Sequence, residues 1–199
     1  MKKAGRPVEA KHPNVVFNRC SAHAMNLLLK DIFKIKLFGD VLKKAIKIVK
    51  FVRARHLLLD QVRRYRRQLQ KARKAGELAV PLMKHYTDKE SQVKLDEVQG
   101  IVNDKQFWIK AKVVVRLTKP VTRALAVLET DACSNSMVLH EFLRLYRAPE
   151  YTEGIAALAG SSVQDEIRKL IASRWDFIRP PSDSTTVAYL LDPSKDIFN

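Results

Sequence analysis

Apolar residues along this 199-residue chain recur mainly at spacings of three and four, the period of an amphipathic helix. From Ser21 onward Met25, Leu28, Leu29, Ile32 and Phe33 share one side, with Asn26, Lys30 and Lys34 opposite. Gly39 reads as a break. The clearest stripe is Leu42, Ile46, Val49, Val52, Leu59, Val62 and Leu69, with His56 on the same line. It predicts one long buried-face helix over 41–74, or two with a bend near the HLLLD at 56–60, stopped by Gly76. A connector around Pro81 covers 76–90. A helix with Leu95, Val98, Ile101 and Val102 inward follows it. The spacing over 107–131 is helical again, and Pro120 is expected to kink or break it. The VVV at 113–115 suits a strand, but the flanking period favours helix.

Two further amphipathic stretches cover 134–148 and 162–178. The second opens on Ser162 and Asp165, a capping pair, and turns Val163, Ile167, Leu170, Ile171 and Trp175 inward. RPPSD at 179–183 ends it, and TTVAYLLDP forms a last short element. Only VVF at 15–17 has strand character. The expected fold is therefore mainly α, an amphipathic helical domain of about six to eight helices with at most one short N-terminal strand. Residues 1–14 read as a basic extended arm, 15–178 as the helical domain, and 179–199 as a proline-containing C-terminal segment.

Charge changes this picture. Residues 1–75 hold 21 Lys and Arg against four acids, Glu9, Asp31, Asp40 and Asp60, whereas the rest is nearly balanced. The formal charge of +16 thus resides in the first three-eighths of the chain. Such asymmetry favours a polyanionic partner, most often nucleic acid, over a merely solvated face. The phosphate-contact candidates are Lys43, Lys47, Lys50, Arg53, Arg63, Arg64, Arg66 and Arg67, which interleave with the long stripe. Tyr65, inside the arginine cluster, adds a weak stacking candidate. Core packing is the favoured reading of Phe107, Trp108 and Trp175, which lie in apolar stripes. Apolar runs are too short to span a membrane, and the N-terminus lacks the apolar centre of a secretion signal. Two cysteines, at 20 and 133, form no disulfide framework and suit a reducing compartment. The composition implies a soluble intracellular protein.

Reaction chemistry finds little footing. Cys20 and His23 could offer two zinc ligands, but a structural site wants four, and no second pair has comparable spacing. The other histidines and Cys133 are scattered singly. A Cys–His nucleophilic pair lacks an orienting acid and good geometry on one helical turn. No glycine-rich phosphate loop or nucleophile elbow occurs, and the Cys20–His23 pair reads as a packed helix start. No metal site and no cofactor are expected.

The run CSAHAMNLLLKDI at 20–32 resembles the Cys-x-x-His-x-x-Asn-Leu-Leu-x-x-Asp-Ile motif of hAT-superfamily transposases. KKAIKIVKFVRARH at 43–56, DKQFWIKAKVVVRLTKPVTRALAVLETD at 104–131 and SRWDFIRPPSDSTTVAYLLDPS at 173–194 resemble later family segments, in the same order. Cys20, His23, Asn26, Asp31, Phe107 and Trp108 are the matching positions, with a structural role. The resemblance implies a helical domain inserted into a ribonuclease-H-like core, with VVFN as that core's last strand. The family's two catalytic Asp precede the Cys-x-x-His motif and its Glu follows the inserted helices. No residue here matches them, so no catalytic residue carries over. A divalent metal is expected only in a complete transposase. The family's Thr-Arg-Trp-type motif, associated with DNA at the transposon end, is also missing where LAVP at 78–81 runs into LMKHYTDKE.

These readings converge on a transposase-derived, DNA-binding, nuclear helical fragment that does not catalyse strand transfer. The basic N-terminus supplies a weak nuclear-import match. A helical scaffold for protein partners or self-association, and a degenerate fragment without a retained role, are the alternatives. An active transposase is the enzymatic one.

Overall fold

The computed structural model describes residues 10–12, 20–56, 59–60, 63–64, 67, 89–158, 162–178 and 184–194. The VVF run, Val62, Tyr65, Arg66, Leu69, Gly76 and the connector around Pro81 up to residue 88 lie outside these residues, and the connector's last two, Lys89 and Glu90, are instead the start of a helix. The chain is mainly helical, and the described residues contain no strand. The elements are α1 (Ser21–Ile32), α2 (Lys36–Arg53), α3 (Lys89–Asn103), α4 (Lys105–Leu128) and α5 (Asn135–Tyr146). The single turn α6 (Pro149–Thr152), a 3₁₀ turn (Ala156–Leu158), α7 (Val163–Ile178) and α8 (Ser184–Leu190) complete them. In the arm, Ala10 and Lys11 are helical and exposed rather than extended. Both are good helix formers, which outweighs the neighbouring prolines locally.

The chain divides into two compact units, one of residues 1–38 and 112–199, the other of 39–111. In the first, Ala24, Met25, Leu28 and Ile32 of α1 are fully buried, as their spacing predicts. Helix α1 packs on α7, which also receives α5 and α6, while α8 lies on α5. Ile167 and Ile171 of α7 and Phe142 and Leu145 of α5 supply the facing side chains. Ser134 caps α5, its hydroxyl accepting from the Met137 N–H at 3.2 Å. The Tyr151 hydroxyl donates to the Leu117 carbonyl at 2.7 Å and ties α6 to α4. Burial pushes the Tyr151 phenol well above the ordinary tyrosine range.

Pro120 does not end α4, which continues to Leu128. The proline leaves the Arg116 carbonyl without its usual N–H partner. The buried run Leu117, Val121, Ala124 and Leu128 holds the helix together through that point. Gly39 is no break either: it lies inside α2. The turn falls earlier, at Phe33–Ile35, where the Lys34 and Ile35 N–H groups reach the Asp31 and Ile32 carbonyls at 3.0 and 3.1 Å.

In the second unit, Phe51 and Val98 form a core with Ile48, Val52, Leu95 and Val102 around them. This corrects the expected stripe on α2. Val41 and Phe51 are buried, whereas Leu42, Ile46 and Val49 are 38%, 41% and 51% exposed. Helix α2 has two adjoining apolar strips, and the one carrying the largest side chain, Phe51, is the one covered. The helix ends at Arg53, just before HLLLD; His56, Leu59, Asp60, Arg63, Arg64 and Arg67 are again helical.

Candidate nucleic-acid interface

Positions 43, 47 and 50 stand four and three residues apart, so their side chains leave α2 on one side. Lys43, Lys47, Lys50 and Arg53 are all exposed, with Leu42, Ile46 and Val49 alongside them. Lys43, Lys50 and Arg53 have no carboxylate partner among the described residues. Lys47 does: it is paired with Glu97 of α3. Its charge is therefore shared with an internal acid before any phosphate arrives.

Lys44 and Lys110 are part of the same cationic surface, although the sequence singled out neither. They line a 340 Å³ cleft in the second unit with Lys43, Lys47, Asp40 and Asp104. Asp104 is the one residue between α3 and α4. Its Oδ1 accepts the Gln106 N–H at 2.9 Å, and Lys44 Nζ lies 3.1 Å from its Oδ2. The Lys44 ammonium holds the Asp104 carboxyl below the usual carboxylate range, helped by the Phe107 and Gln106 N–H groups against desolvation. Asp104 caps α4 and, being an acid, also takes up one of the surrounding lysines. The signal for Lys110 was its position three residues after Phe107, on the turn facing this corner.

Among the arginines, Arg63, Arg64 and Arg67 are exposed, and Arg63 lies 3.6 Å from Asp60. Arg66 lies outside the described residues. Arg55 is turned inward instead, its guanidinium 3.7 Å above the Phe51 ring.

The motif residues divide between packing and exposure. Cys20, His23 and Asn26 are exposed, which corrects the reading of Cys20–His23 as a packed helix start. Cys20 stands at the N-cap of α1 without a side-chain cap bond, and His23 points off the face opposite Met25 and Leu28. Asp31 is the structural member of the set. It pairs with Arg174 of α7 and, at 2.7 Å, with Lys34. The Arg174 hydrogen bond foremost, then Lys34, hold its carboxyl below the usual range against the effect of burial. Phe107 is buried. Trp108 is 46% exposed, and its indole N–H donates to the Val102 carbonyl at 2.7 Å. Trp175 packs against Phe142 with ring centroids 5.2 Å apart.

The two cysteines, 113 positions apart in sequence, are neighbours in space. Burial raises the Cys133 thiol, a hydrogen bond with the Ser21 side chain lowers it, and the Cys20 thiol raises it again. Among the described residues no three His, Cys, Asp or Glu side chains converge as a metal site. No described helix is long and apolar enough to cross a membrane. Compared with known protein families, curated proteins and solved structures, the chain matches none.

Proposed function

We propose that this chain is a transposase-derived helical domain that binds duplex DNA through phosphate contacts and works in the nucleus. It carries no strand-transfer step of its own, since none of its residues corresponds to the family's catalytic acids. The single observation that supports it most is the row of exposed cations on α2, Lys43, Lys50 and Arg53, which have no carboxylate partner among the described residues. Phosphate contacts of this kind fix register without reading bases. Lys47 and Lys44 enlarge the positive field but must exchange Glu97 and Asp104 for phosphate.

The test is a duplex titration by fluorescence anisotropy between about 50 and 200 mM salt, where non-specific dissociation constants of roughly 1–100 μM are typical. Replacing Lys43, Lys50 and Arg53 by Glu removes three phosphate contacts. The slope of log affinity against log salt then falls by about three. A wild-type slope near zero, or an unchanged slope in the variant, overturns the proposal.

A second reading is favoured by Leu42, Ile46 and Val49, an apolar strip next to the lysine row. It makes α2 a docking helix for a protein partner. Under that reading Ile46→Asp abolishes partner capture and leaves the DNA salt slope intact.

A further inference from the structure

The first unit has a cationic cleft of its own, remote in sequence from the lysine row. It measures 470 Å³ and draws on α4, α5, the α5–α6 corner and α8. That volume is within the range of small-ligand sites, about 300–1,000 Å³. Arg123, Arg144 and Arg147 line it, against one lining carboxylate, Glu150. Arg144 is already engaged by Glu141 at 2.5 Å. Arg123 and Arg147 are exposed and have no carboxylate partner among the described residues. One wall is aromatic: the His140 and Tyr189 rings lie 25° from parallel with centroids 6.3 Å apart. Pro120 and Leu143 add apolar surface.

Two guanidiniums with no carboxylate partner among the described residues, beside a stacked aromatic pair, suit a ligand with an anionic group next to a planar ring. Guanidinium–phosphate pairs are strong and directional, and a base gains from stacking on an aromatic face. We propose that this cleft binds a mononucleotide unit, free or within an unpaired strand. Arg123 and Arg147 hold its phosphate, and the Tyr189–His140 wall receives its base. A purely acidic ligand would use the arginines and leave the wall idle. Its lining shares no residue with the duplex surface on α2, and it takes a different form of nucleic acid.

The full chain is titrated with fluorescein-labelled dodecathymidylate, and a copy carrying 5-iodouracil is photo-crosslinked and mapped by mass spectrometry. The expected adducts are on Tyr189 or His140. R123E/R147E weakens dodecamer binding at least tenfold and removes those adducts. K43E/K50E/R53E keeps them, so failure of the duplex reading leaves this site standing. R123Q/R147Q, with an unchanged circular dichroism spectrum, gives the same loss and guards against misfolding. Competition by AMP assigns the free nucleotide, and competition by unlabelled dodecamer alone assigns the strand; either supports the site. Adducts only elsewhere, an arginine variant that binds as wild type, or inorganic phosphate or a phosphotyrosine peptide competing as well as AMP overturns it.

Discussion

Asp31→Asn separates the structural role of the family-like motif from any chemical one. Asparagine preserves shape and one acceptor oxygen but removes the charge that faces Arg174 across α1 and α7. The Asp31 and Arg174 side chains are 15% and 22% exposed, so the pair is only partly screened by solvent. A hydrogen bond between charged groups contributes about 1.5–3 kcal/mol. Lys34 is 77% exposed; such a pair adds only a few tenths. After discounting for partial exposure, the loss is about 2 kcal/mol, which lowers the melting temperature by about 4–8 °C in a chain of this size. Urea unfolding followed by circular dichroism measures it, and a cycle with Arg174→Gln returns a coupling of at least about 1 kcal/mol.

The same change has a defined pH dependence. Because Asp31 titrates below its ordinary value of 3.8 when folded, its stabilisation is complete above that value. It is lost as pH falls through the lowered folded value. The gap between wild type and D31N should therefore be constant near neutrality and close below about pH 4. A D31N protein within about 0.5 kcal/mol of wild type, or a gap that persists in acid, refutes the account.

Three further outcomes follow from the geometry. Ser134→Ala removes the α5 cap and costs about 1 kcal/mol in urea unfolding. Tyr151→Phe deletes the bond to the Leu117 carbonyl for a loss of about 1 kcal/mol. With Tyr151 intact, spectrophotometric titration should show one tyrosine still protonated when the ordinary ones have ionised. At pH 8 a disulfide reagent modifies the exposed Cys20 before the part-buried Cys133; Ser21→Ala slows Cys133 further, since it withdraws the bond that favours the thiolate.

The legible part of the fold was periodicity where one apolar face exists. Helix α1 was readable because Met25, Leu28 and Ile32 are its single strip. Helix α2 was misread because its two strips, Val41–Ile48–Phe51 and Leu42–Ile46–Val49, have the same spacing. Periodicity reports that a face exists, and only a partner, here Val98 and Leu95, decides which is covered. Gly39 and Pro120 carry local penalties of about 1 and 3 kcal/mol, which long helices with buried faces can absorb. The basic character of α2 was plain from composition. Its pairing with Glu97 and Asp104 was not, since those acids are 50 and 60 residues away. The arginine cleft was invisible for the same reason, being assembled from four separate elements.

The Asp31–Arg174 pair joins residues 143 positions apart, and this has a consequence for synthesis. A ribosome adding about 5–20 residues per second releases α7 well after α1. During most of that interval Met25, Leu28 and Ile32 have no α7 to cover them, whereas residues 39–111 can already gather their own core around Phe51 and Val98. Helix α1 is thus made long before the element that secures it. Chains interrupted before Arg174 leave the ribosome with that helix uncovered, and are the ones a chaperone or protease meets first.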